Sequence, residues 1–198
     1  MRAPLVFKAK RRTVVTVTAV VAVLLAAALA VTLLTSGKGN ASDANGIVAY
    51  QAGQRPLAPN VTGTSLTGSA IKLSSYRGKT VVLNFWGSWC SPCRGEAPTL
   101  AGLDQQYGSK GVAFLGDDVG DTPANALAFT QRAGITYPSF SDNGYLVVAD
   151  FSVAGVAVSD TPTTVVIDKT GHVAGMVIGA ASYGQLTTLI KDAAVTKE

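Results

Sequence analysis

Metal-ligating side chains are scarce in this chain, which holds one histidine and two cysteines in 198 residues. A structural zinc site needs about four ligands, so these three would have to borrow carboxylates, and a metal-built fold is disfavoured. Charge is scarce as well, at 14%, and its positive excess is local. Arg2, Lys8, Lys10, Arg11 and Arg12 supply five of the sixteen basic residues, leaving eleven against twelve acids. The high isoelectric point therefore belongs to a short tail, and the remainder has no basic surplus with which to hold nucleic acid. No internal repeat is present. A hydrophobic content of 47% is compatible with a packed core, and the length with one ordinary domain plus a targeting or anchoring segment.

One long apolar run stands apart. Residues 13–37 read TVVTVTAVVAVLLAAALAVTLLTSG, without a charged side chain. The centre, Val14 to Leu34, would span roughly 31 Å as a helix at about 1.5 Å per residue, close to the ~30 Å hydrocarbon thickness. Basic residues crowd its N-terminal flank, so the positive-inside bias places residues 1–12 in the cytoplasm and the bulk of the chain outside. Residues 13–35 are predicted to be a single transmembrane anchor. The alternative is a cleaved secretory signal with Ala28-Leu29-Ala30 as its small-residue site, leaving a secreted domain. Residues 36–60, rich in Gly, Ala, Ser and Asn and without periodicity, read as a flexible tether, with the folded domain over 61–198.

Within that domain strand and helix signals alternate. Val61 to Leu66 and Ala70 to Leu73 flank Thr67-Gly68-Ser69, and Thr80 to Phe85 is a β-branched apolar run suited to burial on both faces. Ser91 to Tyr107 reads as a helix that Pro98 kinks, and Val112 to Leu115 as a strand. Asp121 or Thr122 caps a helix through about Ala133, with Pro123 in its first turn. Leu146 to Phe151 is a short helix, and Thr163 to Ile167 and His172 to Ile178 form a hairpin around Asp168-Lys169-Thr170-Gly171. Ser182 caps a last helix whose Leu186, Leu189 and Ile190 share a face. The order predicts an α/β sandwich around a mixed sheet.

Both cysteines fall in NFWGSWCSPCRGEAPTL, residues 84–100, with only Ser91 and Pro92 between Cys90 and Cys93. A staple between such neighbours stabilises little, roughly 2 kcal/mol on the loop-entropy model. A reactive pair fits better. Cys90 falls where a strand passes into a helix, and the unpaired amides and dipole of a helix N-terminus favour a thiolate there. Cys93, one turn in, is placed to attack a mixed disulfide formed on Cys90.

Trp-Cys-x-Pro-Cys after an apolar strand, followed by Arg94 and by Pro98 five positions past the second cysteine, resembles the thioredoxin superfamily. More narrowly, IKLSSYRGKTVVLNFWGSWCSPCRGEAP and TPTTVVIDKTGHV are similar to segments of the exported, membrane-tethered TlpA/ResA/CcmG-like branch, over about residues 61 to 195. The resemblance implies a thioredoxin-like fold, a mixed central sheet flanked by helices, with an N-terminal β extension and a helix-containing insert near Gly116 to Tyr137. It implies reversible dithiol–disulfide exchange by Cys90 and Cys93 without a bound cofactor. Implied partners are protein thiol or disulfide clients outside the membrane and a membrane electron donor or acceptor, with apocytochrome c maturation as a client pathway. Thr161-Pro162 matches a loop that carries a cis-proline facing the cysteines, where the main chain can pair with an extended substrate. Glu96 matches an acidic position that moves protons for the thiols, the alternative being a solvated helix carboxylate. Asn84 stands where thioredoxins proper carry a buried acid six residues before the first cysteine.

Trp86 and Trp89 flank the thiols as either shields and partner contacts or packing. His172 reads as exposed strand surface, and Asp117, Asp118 and Asp121 as a polar loop with helix-start charge. The expected activity is that of a reductase of protein disulfides outside the membrane, and three other activities compete with it. A disulfide-forming oxidase uses the same residues in the opposite direction. A peroxidase lacks its Pro-x-x-x-Thr-x-x-Cys pattern, since Leu83 and Gly87 hold the two positions before Cys90. A copper-handling module would need His172 beside the cysteines.

Overall fold

The computed structural model describes residues 41–42 and 46–195. In chain order its elements are β1 (Ala41–Ser42), β2 (Ile47–Ala49), β3 (Thr62–Thr64), β4 (Ala70–Lys72), β5 (Thr80–Trp86), α1 (Ser91–Tyr107), β6 (Val112–Val119), α2 (Pro123–Ala133), β7 (Ser139–Asp142), α3 (Leu146–Val153), β8 (Thr163–Ile167), β9 (Val173–Ile178) and α4 (Tyr183–Ala194). Among the described residues no helix is long and apolar enough to cross a membrane. The basic tail 1–12 and the anchor expected over 13–35 lie outside the described residues.

Seven strands form one sheet in the order β1-β2-β9-β8-β5-β6-β7. Strand β5 runs parallel to β6 and antiparallel to β8, and every residue of TVVLNFW is buried. Alternation divides its side chains between two cores. Val81, Leu83 and Phe85 pack with Leu115, Phe140 and Phe151 on the face covered by α3 and the β3–β4 hairpin. Val82 packs with Leu100, Leu103, Leu186 and Leu189 under α1 and α4. Phe85 and Phe151 meet edge to face, with centroids 5.3 Å apart, a geometry worth about 1 kcal/mol beyond area burial. Pro98 stays inside a continuous α1, and α4 begins with a capping box between Ser182 and Gln185.

Two expectations need correction. The tether predicted over 36–60 is in large part folded: β2 pairs antiparallel with β9, Val48 opposite Met176, and Val48, Tyr50 and Ala58 are buried. Buried Arg55 pairs with Asp168 at 3.0 Å and Asp192 at 2.7 Å. A three-residue strand supplies too short an apolar run for periodicity to reveal, and its stability comes from a sheet edge far off in sequence. Likewise Asp117 and Asp118, expected in a polar loop, lie inside β6 and are fully buried. Pairing with β5 and β7 on both sides overrides their poor strand preference.

Candidate active site at Cys90 and Cys93

The C-terminal edge of β5 and β6 brings the site together. From Trp86 the turn Gly87-Ser88-Trp89 leads to Cys90, the N-cap of α1. Strand β8 runs antiparallel to β5 with Thr163 opposite Phe85, so the loop entering β8 arrives at the same edge. Cys90 and Cys93 are joined in a disulfide, their Cα atoms 5.3 Å apart. The Cys93 amide donates to Cys90 Sγ at 3.2 Å, the interaction by which a cap atom satisfies a free helix N–H. Pro92 in the first turn removes an amide that would have no partner. The Cys90 sulfur lies 3.6 Å from the Thr161 carbonyl oxygen, and the Thr161–Pro162 bond is cis.

The two tryptophans take different places. Trp86 is buried beneath the disulfide, stacked on Phe129 at 4.7 Å, and packs in one cluster with Cys90, Cys93, Ala97 and Ala126. Trp89 is 55% exposed and donates its indole N–H to the Val119 carbonyl at 3.1 Å. Its ring lies over Gly87, where an added Cβ would come within 2.6 Å of Trp89 Cε2. The threonine of a peroxidase pattern therefore does not fit beside this tryptophan.

On α1, Cys93, Glu96, Ala97 and Leu100 form the buried stripe, so Glu96 is no solvated carboxylate. Its Oε1 accepts from Asn84 Nδ2 at 2.8 Å and its Oε2 from the Ala181 amide at 2.7 Å. Asn84 also donates to Thr164 Oγ1 at 3.0 Å. Burial outweighs the Ala181 and Asn84 hydrogen bonds and pushes the Glu96 carboxyl up to about 7. An acid that β5 lacks at Asn84 is thus delivered to the same spot from the helix.

Carboxylates outside the expected set also gather at this edge. Asp121 accepts from the Ser88 amide at 2.9 Å and the Thr122 amide at 2.7 Å, tying the start of α2 to the active-site turn. Burial opposes its charge, but the hydrogen bonds from Ser88 and Thr122 prevail and hold its carboxyl below the usual range. Burial, with repulsion from Asp121 and Asp142, pushes Asp118 up to about 7. Burial first, then Asp142 and Asp118, raises Asp117 well above an ordinary carboxyl. The partners that sequence reasoning missed here are mostly main-chain atoms, Ala181 N, Val119 O and Ser88 N, which leave no mark on residue type.

His172 belongs to the opposite edge, at the turn between β8 and β9, with Nδ1 2.8 Å from Thr170 Oγ1. The length of β8 separates it from the cysteines, so it does not complete a copper site with them. Among the described residues no three His, Cys, Asp or Glu side chains are placed to hold a metal ion.

A strand-to-helix turn carrying a CxxC disulfide against a cis-proline loop defines a thioredoxin-like redox protein. The chain belongs to the AhpC/TSA family, whose profile matches residues 55–176. It is 35% identical over 134 residues to the thiol-disulfide oxidoreductase ResA of Bacillus thuringiensis strain Al Hakam, covering 68% of this chain and 75% of that protein. Its fold is similar to a DsbF homologue from Corynebacterium diphtheriae, with TM-score 0.69 and 31% identity over 77% of this chain and 96% of that one. A secreted thiol-disulfide isomerase from Corynebacterium glutamicum gives TM-score 0.70 and 28% identity over 78% and 96%. The protein is a thiol–disulfide oxidoreductase.

Proposed function

We propose that this oxidoreductase is held at the outer face of a cell membrane by residues 13–35 and works there as a reductase of protein disulfides. The Cys93 amide aimed at Cys90 Sγ carries the exchange chemistry of this reading, because an N-cap donor at a helix N-terminus favours a thiolate on the outer cysteine. In the reduced protein the Cys90 thiolate attacks one sulfur of a client disulfide, forming a mixed disulfide and releasing one client thiolate. Cys93, deprotonated, then attacks the Cys90 sulfur and releases the second. Two electrons and two protons pass to the client, and the Cys90–Cys93 disulfide remains. A membrane donor of two electrons and two protons resets it.

Glu96 lies one turn beyond Cys93 on the same buried stripe and is half-ionised near pH 7, which suits it to accept the Cys93 proton. Trp89, Thr161 and Pro162 border Cys90 and form the contact for an extended client segment, the Thr161 main chain pairing as an added strand does. Apocytochrome c is the client class to which the ResA resemblance points. Export agrees with the secreted nature of the Corynebacterium glutamicum neighbour.

Cys93→Ser in the native host tests the order of attack: the mixed disulfide on Cys90 cannot resolve and the client is recovered as a covalent adduct. An equal yield of adduct from Cys90→Ser contradicts it. Trapping of free thiols in intact cells tests the direction, and a Cys90–Cys93 pair oxidised at steady state identifies the disulfide-forming oxidase instead.

A further inference from the structure

Helices α1 and α2 enclose a pocket of about 240 Å³ lined by Ser88, Arg94, Pro98, Phe129, Arg132 and Ala133. Arg94 and Pro98, four residues apart, face it from α1, and Phe129, Arg132 and Ala133 from α2. The inner wall is apolar, built on the Phe129 ring that stacks against Trp86 beneath the disulfide. The rim carries two guanidiniums. Arg94 spends one N–H on the Ser88 carbonyl at 2.9 Å, and neither arginine is in an ion pair, the two found among the described residues both being made by Arg55. Asp121, which accepts from the amide of the lining residue Ser88, is taken up by the Ser88 and Thr122 amides. Beyond Arg12 the chain has no net positive charge to spread, so two unpaired cations converging on one pocket are a local arrangement.

The pocket lies beside the active-site turn. Ser88 forms its end and stands two residues before Cys90, and between them Trp89 is half-exposed. The Thr161 carbonyl marks the other flank of Cys90. We infer that this pocket receives an acidic segment of the client polypeptide, an Asp or Glu next to an apolar side chain close in sequence to the client cysteine that joins Cys90. The apolar part covers Phe129 and Pro98 while the carboxylate meets Arg94 and Arg132, which present a planar fork suited to it. The inference rests on the disulfide-exchange reading and adds a choice among clients.

Two synthetic disulfide peptides separate the ideas, one with two Glu within five residues of its cysteine and one with Gln in their place. Reduced full-length protein is mixed with each at low ionic strength, and thiol release is followed. The Glu peptide is expected to react about five- to tenfold faster, the worth of two partly exposed charge pairs, and the advantage collapses above about 0.5 M salt as screening shortens to a few ångströms. Arg132→Ala reduces the ratio toward one. Replacing both Arg94 and Arg132 by Glu turns the pocket charge from +2 to −2 and inverts the ratio in favour of a third peptide bearing Lys at the same positions, a reversal that a merely structural effect of the substitutions does not produce. Equal rates for the Glu and Gln peptides in the wild type overturn the acidic-segment inference and leave disulfide exchange standing. Failure to reduce either peptide sinks both.

Discussion

Asn84 on β5 donates its side-chain amide to Glu96 on α1 at 2.8 Å, so a strand amide and a helix acid share the buried position beneath the CxxC turn. The contact joins residues twelve apart in sequence and gives the site its one acid with a mid-range pKa on the buried stripe of Cys93. Glu96 has a folded pKa of about 7 against about 4.3 unfolded. A raised carboxyl favours the protonated form in the fold, so its stabilising contribution is complete below about pH 4 and is lost as pH rises through 7.

Replacing Glu96 by Gln removes this titration while a flipped Asn84 still pairs with the new amide. The stability difference between wild type and Glu96→Gln is expected to move against the wild type between pH 4.5 and 7, by on the order of 3 kcal/mol in total. Urea unfolding of the oxidised proteins at those two pH values reads the change directly. A pH-independent difference refutes the raised pKa, and a kcat/KM profile of Glu96→Gln that matches the wild-type profile across about pH 5 to 9 refutes the proton role.

Val48 tests whether the segment before residue 60 belongs to the domain. Its side chain is buried on β2 opposite Met176, so Val48→Asp puts an unpaired charge against the core and is expected to cost about 2–4 kcal/mol. A chemical denaturation midpoint unchanged by Val48→Asp restores the tether.

Arg55 links the same segment to α4 and to the β8–β9 turn. Arg55→Met is expected to lower stability by about 1–3 kcal/mol near neutral pH. Burial opposes ionisation of Asp168, yet hydrogen bonds from Thr170, His172 and Arg55 hold its carboxyl below the usual range. Stability gained from a lowered carboxyl is present above about pH 4 and is lost as pH falls below it. The gap between wild type and Arg55→Met therefore narrows in acid, and a gap that widens there disproves the pairing. Thermal melts across pH 3 to 7 supply the curve.

Gly87→Ala forces Trp89 out of its place over the active-site turn and breaks its bond to the Val119 carbonyl. Tryptophan emission should shift to the red, and exchange with a peptide disulfide should slow several-fold. Unchanged emission and rate place the Trp89 ring elsewhere.

The site's chemistry was legible because it is local. Two cysteines separated by Ser91-Pro92, behind an apolar strand and at the start of a helix, determine a reactive pair through the physics of one helix terminus. The buried run of β5, the cap at Thr122 and the hairpin around Asp168 are equally short-range and could be read from neighbours in the chain. The docking of residues 47–49 on β9, the burial of Asp117 and Asp118 between two strands, and the meeting of Glu96 with Asn84 and the Ala181 amide were decided by tertiary structure alone. In each case the partner is supplied from another element, and in several it is a main-chain group that any residue would provide. The same distinction explains the arginine pocket: Arg94 and Arg132 are 38 positions apart, and only the packing of α1 beside α2 aims both at one cavity.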